Sequence, residues 1–191
     1  SQSLGNSSGV TLNPTENFFY VIHNNDNQIH IFDSSQRGPL IALQKIELSG
    51  WENSSILNDS DLEDLVYLGK NELGQDEVAM VNEGNPNQGA QVYICPIHRF
   101  TQRLERSLCD RIHVEIKVDK KNKGIEGLAY DKVKNNFYVA VEGNEKGGHI
   151  QIAYFQRPAD SDFQTDPTGA RRMSRVTSRA LFDAETKLGK L

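Results

Sequence analysis

One pattern, written three times, restricts what this chain can fold into. In GIEGLAYD followed by FYVAVEGN, two short alternating runs flank a polar turn at residues 131–136, with Glu126 at the far end of one run and Glu142 at the far end of the other. Alternation around an Asn-rich turn is a hairpin signature. The midpoint between the two glutamates is Lys134, inside the turn, so a regular ladder would set them opposite each other at the open end. Upstream, DLEDLVYLGKNELGQDEVAMVNEGN puts Glu63 and Glu83 around Leu73, and SSGVTLNPTENFFYVIHNND puts Ser8 and Asn24 around Glu16. Each hairpin is followed by a third alternating run: QIHIFD, AQVYICPI and GHIQIAYF.

A repeat recurring at positions 8, 63 and 126 in an all-β pattern predicts propeller blades with enlarged loops. The expected architecture is a β-propeller of four-stranded antiparallel blades, three to four of them covered by the chain and the ring incomplete within it. Blade one spans about 7–48, blade two about 61–119 and blade three about 124–184, in one domain of 191 residues. The fourth strands are expected at residues 41–48, 111–119 and 176–183. FTQRLERSL reads as a helical turn, since Phe100, Leu104 and Leu108 share a helical face. Residues 158–170, rich in Asp, Pro and Thr, read as a long mobile loop. Trp51, the only tryptophan, sits in a polar connector and reads as packing between or over the blades.

Composition excludes some functions. A net charge of -5 and a pI near 5.5 argue against nucleic acid as a partner. The basic pieces RFTQRLER, KVDKKNKG and RRMSR are local and read as solvated connections. No apolar run approaches the roughly 20 residues of a membrane span. Cys95 and Cys109 match neither a CxxC redox pair nor a zinc signature, leaving a local disulfide or two free thiols. Asn6, Asn53 and Asn58 begin N-x-S/T sequons. Together these point to a secreted, periplasmic or lumenal protein. The chain begins at Ser1 without a signal peptide, so any targeting segment has been removed or lies outside these residues.

The loops at residues 23–28, 82–89 and 142–149 fall on the side of the glutamates and are dense in oxygen donors and glycine. Such donors suit calcium better than zinc, which prefers His and Cys. In a propeller the innermost strands would bring Ser8, Glu63 and Glu126 together near the axis. A bound cation would stabilise such like charges. The plainer alternative is that each glutamate bonds backbone N–H groups of the next blade or pairs with Lys or Arg.

The motifs GIEGLAYD with FYVAVEGN, DLEDLVYLG with VAMVNEGN, and GVTLNPTENFFYVIHNNDNQIHIFD resemble the SdiA-regulated (YjiK-like) β-propeller family from about Gly9 to Phe155. More distantly they are similar to β-propeller phytases, whose IEG-type segments bind calcium. That resemblance implies Glu63, Glu126, Glu83 and Glu142 as metal ligands; the first repeat departs from it with Ser8 and Asn24.

The leading expectation is a calcium-binding propeller serving as a binding or assembly module. A metal-dependent phosphoesterase of the phytase-like kind is one alternative, and a structural subunit of a larger complex, with another protein chain as partner, is the other. Catalysis would need a basic shelf beside the carboxylates, for which the third repeat offers only Lys123 and Lys146. His23, His30, His98, His113 and His149 form no HExxH pair, and neither a GxSxG elbow nor a P-loop is present. No residue is therefore assigned a catalytic role.

Overall fold

The structure is a computed structural model that describes residues 7–23, 27–39, 41–50, 62–85, 89–97, 100, 102–115, 124–142, 151–165 and 172–183. These residues form fifteen strands and two 3-10 turns. In chain order the strands are β1 Ser7–Asn13, β2 Phe18–His23, β3 Gln28–Asp33, β4 Gln44–Ser49, β5 Leu62–Lys70, β6 Asp76–Asn85, β7 Gly89–Ile97, β8 Arg103–Glu105, β9 Asp110–Glu115, β10 Ile125–Asp131, β11 Asn136–Val141, β12 Gln151–Gln156, β13 Gln164–Thr165, β14 Arg172–Thr177 and β15 Arg179–Asp183.

The hairpins form for the reason the sequence suggests. Asn13 Oδ1 accepts the backbone N–H groups of Thr15 and Glu16, and Asp131 Oδ1 accepts those of Val133 and Lys134. Asn17 and Asn135 then close their turns in the left-handed region, at φ 57° and 55°. Asn tolerates that region because its short polar side chain can bond locally. The end of each third strand caps the turn: Ser34 N donates to Asn17 O, and Arg157 N to Asn135 O. The middle hairpin uses Asn71 in the same way, with Gly74 at φ 74°.

The ladders are not regular. In all three first hairpins a residue of the first strand is extra at the same place: Ser8 between Ser7 and Gly9, Glu63 between Leu62 and Asp64, Glu126 between Ile125 and Gly127; β5 has a second, Leu68, between Tyr67 and Gly69. A bulge inserts an unpaired residue, bends the strand and re-aims its side chain. The repeat positions 8, 63 and 126 are therefore three equivalent bulges.

Three sheets result, with strand orders β1-β2-β3-β4-β8, β13-β14-β9-β7-β6-β5 and β10-β11-β12-β15. The first strands lie next to one another, β1 against β5 and β5 against β10, so the sheets stand side by side in chain order. No ring is closed among the described residues. Tyr20, Ile22, Ile29, Ile31 and Ile46 of sheet one pack on Leu65, Val78, Met80 and Tyr93 of sheet two. Ala79, Val81, Val92, Ile112 and Val114 of sheet two pack on Leu128, Phe137, Val139 and Phe155 of sheet three. Successive residues of a strand point to opposite faces. Sheet two thus has both faces covered, which is why EVAMV and QVYIC are apolar almost without interruption while sheet one exposes Val10 (61%) and Leu12 (44%).

Each sheet holds four antiparallel strands as expected, β1-β2-β3-β4, β5-β6-β7-β9 and β10-β11-β12-β15, and the outer edges of the first two gain further, parallel strands. FTQRLERSL is not helical around a Phe100, Leu104 and Leu108 face: residues 103–105 form β8, which pairs parallel with β4, and only residues 106–108 make a 3-10 turn. The free edge of β4 supplies backbone partners that a short helix would lack, and of the three apolar residues Leu104 alone is buried. The expected outer strand at 176–183 is split. β14 pairs parallel with β9 of sheet two, and β15 pairs antiparallel with β12 of sheet three. Twice, then, a segment leaving the third strand of one sheet crosses back to cover the edge of the preceding sheet. Unpaired edges are a liability that proteins cover. The expected long loop at 158–170 contains the turn Asp160–Asp162 and strand β13, which pairs with β14. Of the expected outer strand of blade two, β9 carries Ile112 and Val114 inward; Ile116 and Val118 lie outside the described residues.

Cys95 and Cys109 form a disulfide, both sulfurs buried in the core between sheets one and two. No helix among the described residues is long and apolar enough to cross a membrane.

Candidate metal centre

At the end of the hairpins away from their turns, three carboxylates meet. Glu83, Glu126 and Glu142 offer oxygens that all lie within 4.8 Å of one another. Glu83, near the end of β6, is 3% exposed; Glu126 is the exposed bulge residue of β10; Glu142, half-buried, follows β11. Two adjacent sheets build the cluster. Gly124 allows the approach: a Cβ there would fall on the Glu83 carbonyl oxygen and within 2.9 Å of its Cγ. The Glu142 amide donates to Gly124 O at 2.9 Å, holding the start of the third repeat beside the end of β11.

Glu126 and Glu142 thus come together as the spacing suggested, although through a bulge rather than by direct opposition. The third member comes from the neighbouring sheet and is Glu83. Glu63, half-exposed at the bulge of β5, is not one of the three carboxylates that meet. Asn24, the loop positions 24–26, 86–88 and 143–149, Trp51, Lys123, Lys146, His98, His149 and the sequons at Asn6, Asn53 and Asn58 lie outside the described residues.

Hard carboxylate oxygens from separate strands are donors of the kind that calcium takes at six to eight positions. Three carboxylates supply up to six oxygens if each binds through both. The donor set contains no His or Cys to favour a softer ion.

Two groupings escaped the sequence. Asp64 ties the inner strands: its Oδ1 accepts Leu65 N and its Oδ2 accepts Leu128 N of the next repeat, both at 2.8 Å. Burial raises its pKa above the ordinary carboxylate value, with these two bonds opposing the rise. Its place in the repeat is taken by Gly9 and Gly127, and a Cβ at Gly9 would fall on Asp64 Oδ1 and within 2.7 Å of its Cα. Glycine in two copies opposite one acidic residue was the readable signal. Likewise Thr11 Oγ1 accepts Tyr67 N across β1 and β5.

The second grouping surrounds Asp76 at the turn end. Its Oδ2 accepts Asn13 Nδ2 (3.1 Å) and the Tyr20 hydroxyl (3.0 Å); its Oδ1 accepts the Tyr67 hydroxyl (3.0 Å) and Lys70 Nζ (2.9 Å). Burial, then the bond and charge of Asp76, push the Tyr67 hydroxyl up to about 12. Burial raises Tyr20 as well, with Asp76 adding to the rise and the Asn13 bond opposing it, and the bond to Asp76 raises Lys70. The structure also sets His23 against His30, ring centroids 4.2 Å apart and planes tilted by 31°, with His30 Nε2 bonded to Gln28 Oε1. His113 is lowered, chiefly by burial and then by Arg175.

The chain matches the family described as SdiA-regulated over residues 3–172. A comparison with curated proteins finds no match. With nearly the whole of its length covered, the chain belongs to the SdiA-regulated family.

Proposed function

We propose that the three sheets are consecutive blades of a β-propeller and that Glu83, Glu126 and Glu142 hold a calcium ion between the second and third. The observation that carries this reading is the meeting of three carboxylates within 4.8 Å, delivered by two sheets whose backbones touch at Gly124. Like charges this close favour a cation or a proton. The side-by-side first strands and the repeated bulge support the propeller.

On this reading the ion stabilises a binding and assembly module rather than a catalyst. Val10 and Leu12, exposed on the outward face of sheet one, support a role in assembly. Sedimentation in which Leu12→Lys abolishes a concentration-dependent oligomer would support that role; a mass independent of concentration opposes it. The buried Cys95–Cys109 bond supports an oxidising compartment, secreted, periplasmic or lumenal. Thiol labelling of the protein before reduction would argue against that location.

The metal is tested by melting the chelated protein and returning calcium. With a Kd of about 0.1 mM, about 10 mM calcium stabilises by about 2.7 kcal/mol. For a chain of this size that raises Tm by about 5–11 °C. An unchanged Tm together with no binding heat sinks the calcium reading.

A further inference from the structure

A second site lies at the opposite end of the hairpins, where sheets one and two diverge. A groove of about 280 Å³ opens there, lined by Phe18, Ile31, Leu43, Ile97 and Phe100, with Tyr20, Glu16 and Asp76 among its polar groups. That volume is at the lower bound of small-ligand pockets, about 300–1,000 Å³. Leu43 and Phe100 are largely exposed, Phe100 at 83%, so the apolar lining reaches the surface.

The polar side carries a definite sign. Among the described residues, Glu16 and Asp76 bring two negative charges against the positive charge of Lys70. Asp76 is 7% exposed, and its two oxygens already accept four donors. Glu16 is engaged by Lys70 through Oε1 alone, at 3.3 Å, and Lys70 is itself 41% exposed. The Glu16 carboxylate is therefore the group placed to receive a further cation, and Asp76 holds the Tyr20 side of the groove in place.

We propose that this groove binds a small amphipathic amine, its apolar body against Phe18, Leu43, Ile97 and Phe100 and its ammonium group on Glu16. An apolar body gains by covering surface otherwise left in water. An anionic head would meet net negative charge and lose its hydration without a partner.

The test titrates the full isotopically labelled chain with 2-phenylethylammonium and, separately, with 3-phenylpropionate, following backbone amide NMR shifts. The expected result is movement of the Leu43, Gln44 and Ile97 amides, with the amine bound at least about tenfold more tightly than the acid. Glu16→Gln, which removes only an exposed ion pair, should weaken the amine about three- to fivefold and leave the acid no weaker. Leu43→Ser should weaken the amine without changing its salt dependence. Equal affinities for the two probes, shifts confined to other regions, or no shift up to the solubility limit of the amine would each overturn the proposal.

Discussion

Replacing Asp76 by alanine tests whether the turn-end network holds sheet one to sheet two. The carboxylate is 7% exposed and accepts from Asn13 and Tyr20 on one sheet and from Tyr67 and Lys70 on the other. Tyr67 and Lys70 reach solvent and find water or Glu16 instead, so they add little. Asn13 and Tyr20 are buried; truncation strands the Tyr20 hydroxyl proton and leaves Asn13 Nδ2 only its 3.4 Å bond to the Tyr20 oxygen. At about 1–3 kcal/mol for the stranded donor and less for Asn13, the loss is about 1–4 kcal/mol. That is a large share of the 5–15 kcal/mol typical of a domain. Asp76→Asn keeps one carbonyl acceptor and should lose about half as much. Urea unfolding with an unchanged m-value is the assay. A second readout is the tyrosine ζ-carbon NMR titration: with Asp76 replaced, Tyr67 should titrate below its value of about 12, though burial, the larger cause, keeps it from returning fully to 10. Because Tyr67 and Tyr20 are raised on folding, the native state holds more protons above pH 10. The stability they contribute is therefore present below pH 10 and lost as pH rises through about 12. An Asp76→Ala loss under about 1 kcal/mol, or a Tyr67 titration that does not move, would refute the network as a clamp.

Four further outcomes are expected. Glu126→Gln should abolish the calcium-dependent rise in Tm while Glu63→Gln leaves it in place; equal losses in both would mean that the ion lies elsewhere. Gly124→Ala drives a methyl group into the Glu83 carbonyl and should cost about 1–3 kcal/mol by denaturation and weaken calcium binding by calorimetry. Replacing both Cys95 and Cys109 by alanine opens a link across 14 positions and should lower unfolding free energy by about 3 kcal/mol. Asp64 is raised on folding, so its contribution to stability is full below pH 3.8 and declines as pH rises through its folded value. Wild type should therefore gain on Asp64→Asn as pH falls toward 3.8, and a difference that does not vary with pH would contradict the burial.

The hairpins were legible because their turns carry the chemistry: Asn13 and Asp131 accept turn amides, and Asn17 and Asn135 take the left-handed residue. The bulges were not, since counting inward from Glu126 and Glu142 assumes one residue opposite one. The parallel straps were hidden for another reason. RLE is too short to show a period, and its partner β4 lies some 50 residues earlier, so only the folded geometry names it. Likewise VTSRALFD alternates as one run, yet its two halves serve different sheets. Asp64 read as one more acidic residue because its significance lies in the two glycines that face it from neighbouring strands.

The repeat also accounts for why the carboxylates gather at one boundary. Position 126 meets the end of the preceding repeat, and the residue there is Glu83. By sequence, position 63 has Asn24 as its counterpart in the first repeat, and Asn24 lies outside the described residues. Gly124 brings these two repeats close, since the third repeat begins with its backbone against the carbonyl of Glu83. Comparing Glu63→Gln with Glu126→Gln separates a site made by the repeat as such from one made by this particular pair of neighbours.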